Sequence, residues 1–159
     1  MKEIPLTKGK FAIVDDDMYE ELSKYKWQEN HGYACRNTNR KTKKLFMHNV
    51  IADTPSGMFC DHIDGNKLNN LRSNLRNCTK QQNGFNRKKN TNSKNKYRCV
   101  YSAQYKTSSG EIKTYWYARI RVFNKSYYKY CRDEISAVMA YNDLAKQHHG
   151  EFARLNEVA

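Results

Sequence analysis

Hydrophobic positions in this chain follow two periods. Along Tyr115-Trp116-Tyr117-Ala118-Arg119-Ile120-Arg121-Val122-Phe123 the period is two. Trp116, Ala118, Ile120 and Val122 share one face, and Tyr115, Tyr117, Arg119 and Arg121 share the other, as in a strand that buries one side. From about Glu134 to His149 the spacing becomes helical, with Ala137, Ala140, Tyr141, Leu144 and Ala145 on one stripe. Asp133 is placed to cap that helix and Gly150 lies just past its end. Its small alanines allow close approach to a sheet. Residues 97–159 therefore read as a three-stranded sheet covered by one helix, with a basic, aromatic face left outward.

Upstream the pattern is more broken. In residues 1–46, Phe11-Ala12-Ile13-Val14 reads as a strand, and Asp15-Asp16-Asp17 as the cap of a short helix through Glu21-Leu22. Tyr25-Lys26-Trp27 and Gly32-Tyr33-Ala34-Cys35-Arg36 read as two strands around Asn30-His31. Trp27 and Tyr33 are expected in the core, and no chemistry is assigned to this region. The basic run Arg40-Lys41-Thr42-Lys43-Lys44 suits either a phosphate contact or a solvated hairpin tip.

Residues 47–86 read as strand, polar loop, strand and short helix. Met58 to Ile63 is the first strand, Asp64 to Leu71 the loop, and Leu75 to Cys78 the returning strand. Thr79-Lys80-Gln81-Gln82 is a capping box that opens the helix. Asp61 and His62 then fall at the first strand's end, and Asn83 one turn into the helix, facing them. Residues 87–96, including Arg87, Lys88 and Lys89, hold five basic residues, no acid and no apolar residue. Such a linker is expected to be disordered in isolation, either tracking DNA or simply solvated.

Charge sharpens this picture. The 159 residues carry a net +13. Residues 1–86 have 14 Lys/Arg against 10 Asp/Glu, a net of +4, while residues 87–159 have 15 against 6, a net of +9. Such a balance attracts nucleic acid. An anionic membrane surface would call for an amphipathic helix with a large apolar face, and none is legible. Twelve tyrosines offer rings to sugar or base and hydroxyls to phosphate, or fill small half-wet cores. Five cysteines without a C-x-x-C pair argue against a zinc knuckle or a secreted disulfide framework. No apolar run reaches membrane-span length and no signal-peptide h-region follows Met1, so a cytoplasmic protein with reduced thiols is expected.

The candidate chemistry lies in Asp61-His62-Ile63-Asp64-Gly65-Asn66, with Asn74 twelve residues after His62 and Asn83 nine further on. Asp and Asn offer oxygens to a hard cation such as Mg²⁺. The neighbouring His can strip a proton from water near neutral pH. The combination suits phosphodiester hydrolysis.

The string Asp61-His62-Ile63-Asp64-Gly65-Asn66-Lys67-Leu68-Asn69-Asn70, with Ser73-Asn74-Leu75-Arg76 and Gln82-Asn83, resembles the HNH nuclease family, in particular its phage and intron homing endonucleases. The resemblance implies a ββα unit clasping one divalent ion, Mg²⁺ or Mn²⁺. Asp61 and Asn83 would be its ligands and His62 the general base. Asn74 would hold the loop and orient His62 through its side-chain amide. His48 matches an upstream family His with a structural or phosphate-contacting role.

Tyr97-Arg98-Cys99-Val100-Tyr101, Trp116 to Arg121, Ala137 to Tyr141 and Gly150 to Asn156 resemble the AP2 DNA-binding domain, which lays its sheet in the major groove. Carried over, Arg98, Arg119 and Arg121 match contacting arginines, and Lys125 and Tyr127 match further contact positions. Tyr101 replaces a usual Arg, and Cys99 a usual Gly. The implied DNA-binding set is Arg98, Tyr101, Tyr117, Arg119, Arg121, Lys125 and Tyr127, joined by Arg87, Lys88 and Lys89.

The expectation is an α+β chain: a small β-rich region plus nuclease unit over 1–86 (core 47–86), a basic linker over 87–96, and an AP2-like three-stranded antiparallel sheet packed on one helix over 97–159. The implied function is a site-specific endonuclease of homing type, from a phage or mobile element. It would act on double-stranded DNA as monomer or homodimer, nicking or cutting both strands, with no membrane partner. The alternatives are a restriction endonuclease and a transcription-factor-like protein carrying an inactive nuclease relic. A decayed site would have lost some of Asp61, His62, Asn74 and Asn83, yet all four are present.

Overall fold

A computed structural model describes residues 1–38, 43–89 and 92–158. Arg40, Lys41 and Thr42 of the first basic run, and Asn90 and Thr91 of the linker, lie outside the described residues. The chain is α+β and divides into two compact units, Met1–Gly84 and Phe85–Ala159.

In the first unit, β1 (Lys2–Pro5) pairs antiparallel with β2 (Phe11–Val14). Helix α1 (Asp16–Ser23) follows, but the Asp15 side chain does not cap it. Asp15 Oδ2 instead accepts the Arg72 amide at 2.8 Å, tying α1's start to the distant polar loop. Strands β3 (Gln28–Asn30), β4 (Tyr33–Asn37) and β5 (Lys44–Phe46) form an antiparallel sheet in that order. The first of these begins one residue after the expected Tyr25-Lys26-Trp27 run. Trp27 turns into the core instead, where its Nε1 donates to the Leu22 carbonyl at 2.8 Å. A short helix α2 (Met47–Ile51), unmarked in the sequence pattern, runs directly on from β5. Then come β6 (Phe59–His62), β7 (Leu75–Cys78) and α3 (Lys80–Phe85). The expected capping box forms: the Thr79 amide donates to Gln82 Oε1 at 2.8 Å, and the Gln82 amide to Thr79 Oγ1 at 3.3 Å.

Ile4, Ala12, Val14, Leu22, Trp27, Ala34 and Met47 build the core, with Leu68 and Leu75 packed on it. Leu68 carries the polar β6–β7 loop to that core. Backbone bonds fix it there: Ile13 N to Leu68 O at 2.9 Å, and Asn70 N to Ile13 O at 2.8 Å. An isolated bridge between Ile13 and Asn69 thus ties the Asn-rich loop to β2.

In the second unit, β8 (Val100–Lys106), β9 (Ile112–Val122) and β10 (Lys125–Cys131) form an antiparallel sheet in the order β10-β9-β8. Helix α4 (Glu134–His149) covers one face. Asp133 caps it, accepting the Ser136 amide at 2.8 Å and the Ser136 hydroxyl at 2.7 Å. The buried members are Val100, Ala118 and Ile120 of the sheet and Ala137, Val138, Ala140, Tyr141 and Ala145 of the helix. Cys99 has a φ of 57°, a left-handed conformation that glycine adopts without steric cost. Phe85 and Asn86 belong to this unit, and the linker's start is tied to it: Arg154 donates to the Asn86 carbonyl and Arg98 to the Arg87 carbonyl. Among the described residues no helix is long and apolar enough to cross a membrane.

Candidate active site

The β6–β7 ladder sets Asp61 opposite Arg76 and His62 opposite Leu75. Arg76 Nε and Nη2 both donate to Asp61 Oδ2, at 3.0 and 2.8 Å. Both side chains are largely withdrawn from solvent. A buried carboxylate is costly alone, and this charge-assisted pair fixes its orientation.

His62 is buried as well. Its Nε2 lies 3.3 Å from Asn70 Oδ1. A carbonyl oxygen has no proton to give, so Nε2 carries the hydrogen and the lone pair is on Nδ1. Burial holds the imidazole's pKa below its usual value, although the Asn70 bond and the charges of Asp64 and Asp61 act the other way. A neutral ring is thus favoured near pH 7. Asn70 is itself fully buried and donates from Nδ2 to the Leu68 carbonyl at 3.1 Å.

Asn74 bonds within the loop. Its Oδ1 accepts the Asp64 amide at 3.0 Å, and its Nδ2 donates to Asp64 Oδ1 at 2.9 Å and to the Asn69 carbonyl at 2.8 Å. It clamps the loop. The amide that meets the His62 ring, however, is Asn70, because Asn74's side-chain bonds are all directed to Asp64 and Asn69. Burial opposes ionisation of Asp64, but bonds from Asn66, Asn69 and Asn74 outweigh it and keep its carboxyl below the usual range.

An aromatic wall surrounds His62. The His48 ring stands edge-on to it at 5.0 Å and the Tyr33 ring lies at 6.0 Å. Phe46 stacks on His48 at 5.5 Å. His48 is buried, with no partner for its Nδ1, and burial with the neighbouring His62 charge pushes its pKa down to about 3. It is a neutral packing group, which fits the structural role among the two the sequence left open. Tyr33 was expected in the core, but it is only half-buried and faces His62, with Lys67 Nζ 4.2 Å from its ring centroid.

Asn83 is half-buried, one turn into α3, its amide donating to the Thr79 carbonyl at 3.0 Å. Among the described residues there is no cluster of three or more His, Cys, Asp or Glu of the kind that cages a structural metal. A carboxylate such as that of Asp61 and an amide oxygen such as that of Asn83 are hard donors, the set expected from the sequence. That set suits a cation which keeps several of its waters.

In the second unit, strand register sorts the expected DNA-binding residues. Tyr101 pairs with Tyr117, Tyr128 with Arg119, and Ser126 with Arg121, all on the face away from α4. Lys125 pairs with Val122 and Tyr127 with Ile120, so both fall on the helix-covered face. Tyr127 packs on the core, its ring 4.0 Å from that of His148 and tilted by 30°. Arg98 is half-buried, its backbone amide donating to Asn156 Oδ1 at 2.9 Å and its guanidinium to the Arg87 carbonyl. Lys88 and Lys89 line a cavity of about 430 Å³ together with Lys96, Arg98 and Arg154. Arg87 stands beside them, its carbonyl taken by Arg98.

Sequence reasoning missed Asn70, Arg76 and Tyr33 near His62, and Tyr105, Tyr128 and Tyr130 on the sheet. Period-two spacing of Tyr128 and Tyr130 was a usable signal for the last pair. Nothing local marked Asn70 or Arg76 as partners of His62 and Asp61.

Comparison with known proteins bears on the same segment. Residues 53–85 match the HNH endonuclease family, a stretch that contains Asp61, His62, Asn74 and Asn83. The chain is similar to an uncharacterized HNH endonuclease of Acanthamoeba polyphaga mimivirus, 36% identical over 161 residues, covering 95% of this chain and 77% of that protein. It is also similar to an SPbeta prophage-derived protein of Bacillus subtilis (strain 168) named as an HNH homing endonuclease, 39% identical over 61 residues, 33% of this chain and 35% of that one. No solved structure matches the chain. With the likeness to the viral protein running almost end to end, and the matched segment enclosing the buried Asp-His pair, this chain belongs to the HNH endonuclease family and is a DNA endonuclease.

Proposed function

We propose that this endonuclease is a site-specific enzyme of homing type that hydrolyses one phosphodiester per active site with a single divalent ion, Mg²⁺ or Mn²⁺. The observation that carries the reading is the buried pair on β6: Asp61 oriented by Arg76, and His62 held as a neutral ring by Asn70. His62 takes the proton from the attacking water through Nδ1. Asn70 keeps the ring in that tautomer, and the wall of Tyr33 and His48 limits its rotation and its solvation. Asp61 and Asn83 supply the oxygens that would hold the ion, and Asn74 sets the loop beside them. When bound, the ion polarises the phosphate and stabilises the leaving oxygen.

The second unit holds DNA, with a fold in the manner of an AP2 domain. Its net charge of +9 over residues 87–159 and its uncovered basic, aromatic face support this. The likeness to a prophage protein named for homing supports a mobile-element role.

The test is cleavage of a random-sequence duplex library with Mg²⁺, mapping the ends on both strands. Cuts confined to one sequence class sustain the reading, and cuts at random sites overturn its specificity. EDTA is expected to stop cleavage while sparing the protein–DNA complex. Cleavage that persists in EDTA would sink the one-metal mechanism. Asp61→Ala is expected to lose cleavage even in excess Mg²⁺.

A further inference from the structure

The uncovered face of the β8–β9–β10 sheet carries six tyrosines: Tyr101 and Tyr105 on β8, Tyr115 and Tyr117 on β9, and Tyr128 and Tyr130 on β10. They form one continuous patch. Tyr117 lies 5.4 Å from Tyr101, 6.0 Å from Tyr115, 6.3 Å from Tyr128 and 5.8 Å from Tyr130, centroid to centroid. Tyr105 joins through Tyr115 at 6.0 Å, and Tyr128 and Tyr130 lie within 8° of parallel. Tyr105, Tyr128 and Tyr130 are exposed, the last at 67%. Helix α4 packs on the opposite face, so nothing in this unit's core explains these rings.

The charges on the patch have one sign. Arg119 shares a register row with Tyr128 and Arg121 lies one outward row beyond it, while Lys113 shares the row of Tyr105 at the other end, and no outward position of the three strands is acidic. Arg119 sits over Tyr128 at 5.5 Å. The face thus suits a polyanion with flat apolar surfaces to offer.

Duplex DNA is a poor fit to most of it. In a duplex the base faces are stacked on one another and only their edges are reachable, which calls for Arg, Lys, Asn, Gln or Glu. No Asn, Gln, Asp or Glu stands on the outward positions of this patch. Unpaired bases present their faces, and aromatic rings beside a basic track hold them without reading sequence.

We propose that the tyrosine face of the second unit binds a single-stranded segment of DNA, with bases stacked on Tyr117 and its neighbours and the phosphates following Arg119 and Arg121. This rests on reading the second unit as the DNA-holding part. It adds that the bound DNA is opened where it meets the sheet. Arg119 and Arg121 at the patch's end then stand where paired and unpaired strands meet.

The experiment uses the full chain in EDTA, so that no cutting occurs, with a fluorescent oligothymidylate of about 12 nucleotides and a mixed-sequence duplex of equal length. Site sizes of this order suit such platforms. Anisotropy is read in about 0.3 M salt, where phosphate contacts contribute little. The single strand is expected to bind more tightly than the duplex. Tyr117→Ala is expected to weaken it roughly 5- to 150-fold, the worth of one base–aromatic stack, while Tyr117→Phe stays within about twofold because the ring face is kept. Tyr130→Ala, at a position too exposed to disturb the fold, is expected to weaken it in the same direction. Equal losses in Tyr117→Ala and Tyr117→Phe would mark a hydroxyl–phosphate contact and overturn the proposal. A preference for the duplex, unaffected by either alanine, would also overturn it while leaving the DNA-holding reading intact. Binding of neither form would overturn the proposal, while the DNA-holding reading stands or falls with the duplex-library cleavage.

Discussion

Asp61, His62, Asn70 and Asn74 of the first unit are withdrawn from solvent and each has named partners, whereas Tyr105, Tyr128 and Tyr130 of the second unit stand open on a sheet. The two surfaces answer different demands. The proposed base and the proposed ligand must hold one geometry, because a misplacement near an ångström already costs heavily in rate. Burial delivers that geometry, but only if every polar atom it strips of water finds a protein partner. Arg76 and Asn70 are those partners. A docking face need hold no such precise geometry before its ligand arrives. It keeps its rings solvated and gains when DNA removes them from water. Mutations in the two units should therefore separate turnover from affinity.

The largest separation is expected at His62. His62→Ala should lower cleavage of bound DNA by about 10²- to 10⁴-fold, the usual worth of a positioned base. Equilibrium binding in EDTA should hardly change. Single-turnover cleavage at saturating protein checks this, and unchanged turnover would remove His62 from the mechanism. Asn70→Ala comes next, with a fall of up to about 10²-fold, since it leaves the His62 ring free to turn. A positioning role predicts a loss in the single-turnover rate with no loss of affinity, together with partial recovery in Asn70→Asp, which keeps the acceptor oxygen. A loss in affinity alone would reassign Asn70 to DNA contact.

The second unit should show the reverse. Arg119→Ala is expected to cost about 1–3 kcal/mol in binding if its guanidinium reads a base edge. The rate of cutting at saturation should stay near that of the parent. A loss that is equal on all sequences would mark a phosphate contact, and no loss would remove this face from DNA binding.

The last effect concerns acid stability rather than turnover or affinity. His149, on the second unit's helix, is buried with neither ring nitrogen partnered and stacks on Phe85 at 3.8 Å. Burial, with lesser contributions from Arg98 and His148, pushes its pKa down to about 4. The unfolded chain takes up a proton as pH falls below the ordinary value of 6.5, and the folded unit refuses it until about 4. Stability is therefore full above 6.5 and drains away between 6.5 and 4. The loss is at most about 3 kcal/mol. His149→Phe keeps the stack and should flatten that part of the urea-denaturation profile. Trp116 fluorescence in a Trp27→Phe background reports on this unit, because those are the two tryptophans of the chain. An unchanged slope would mean that His149 titrates normally when folded.

The sequence by itself determined the features that depend on neighbours along the chain. The alternation in β9 put Ala118 and Ile120 in the core and Tyr117 and Arg119 outside. The Thr79–Gln82 box and the Asp133 cap were legible because each closes bonds three residues apart. The Asp61-His62 pair was legible as a string of residue types. Tertiary structure alone decided what surrounds that pair. Arg76 reaches Asp61 because two strands align in one register out of several, and a slip of one residue would turn it to the other face. Asn70 reaches His62 because Ile13, far upstream, pins the loop by two backbone bonds. Tyr33 reaches it because β4 and β5 carry that ring beside α2. On the sheet, the same rule moved Lys125 and Tyr127 to the covered face while gathering six tyrosines on the other. Local bonding is written in adjacent residues, but which distant side chains meet is settled by packing and register, to which many segments contribute at once.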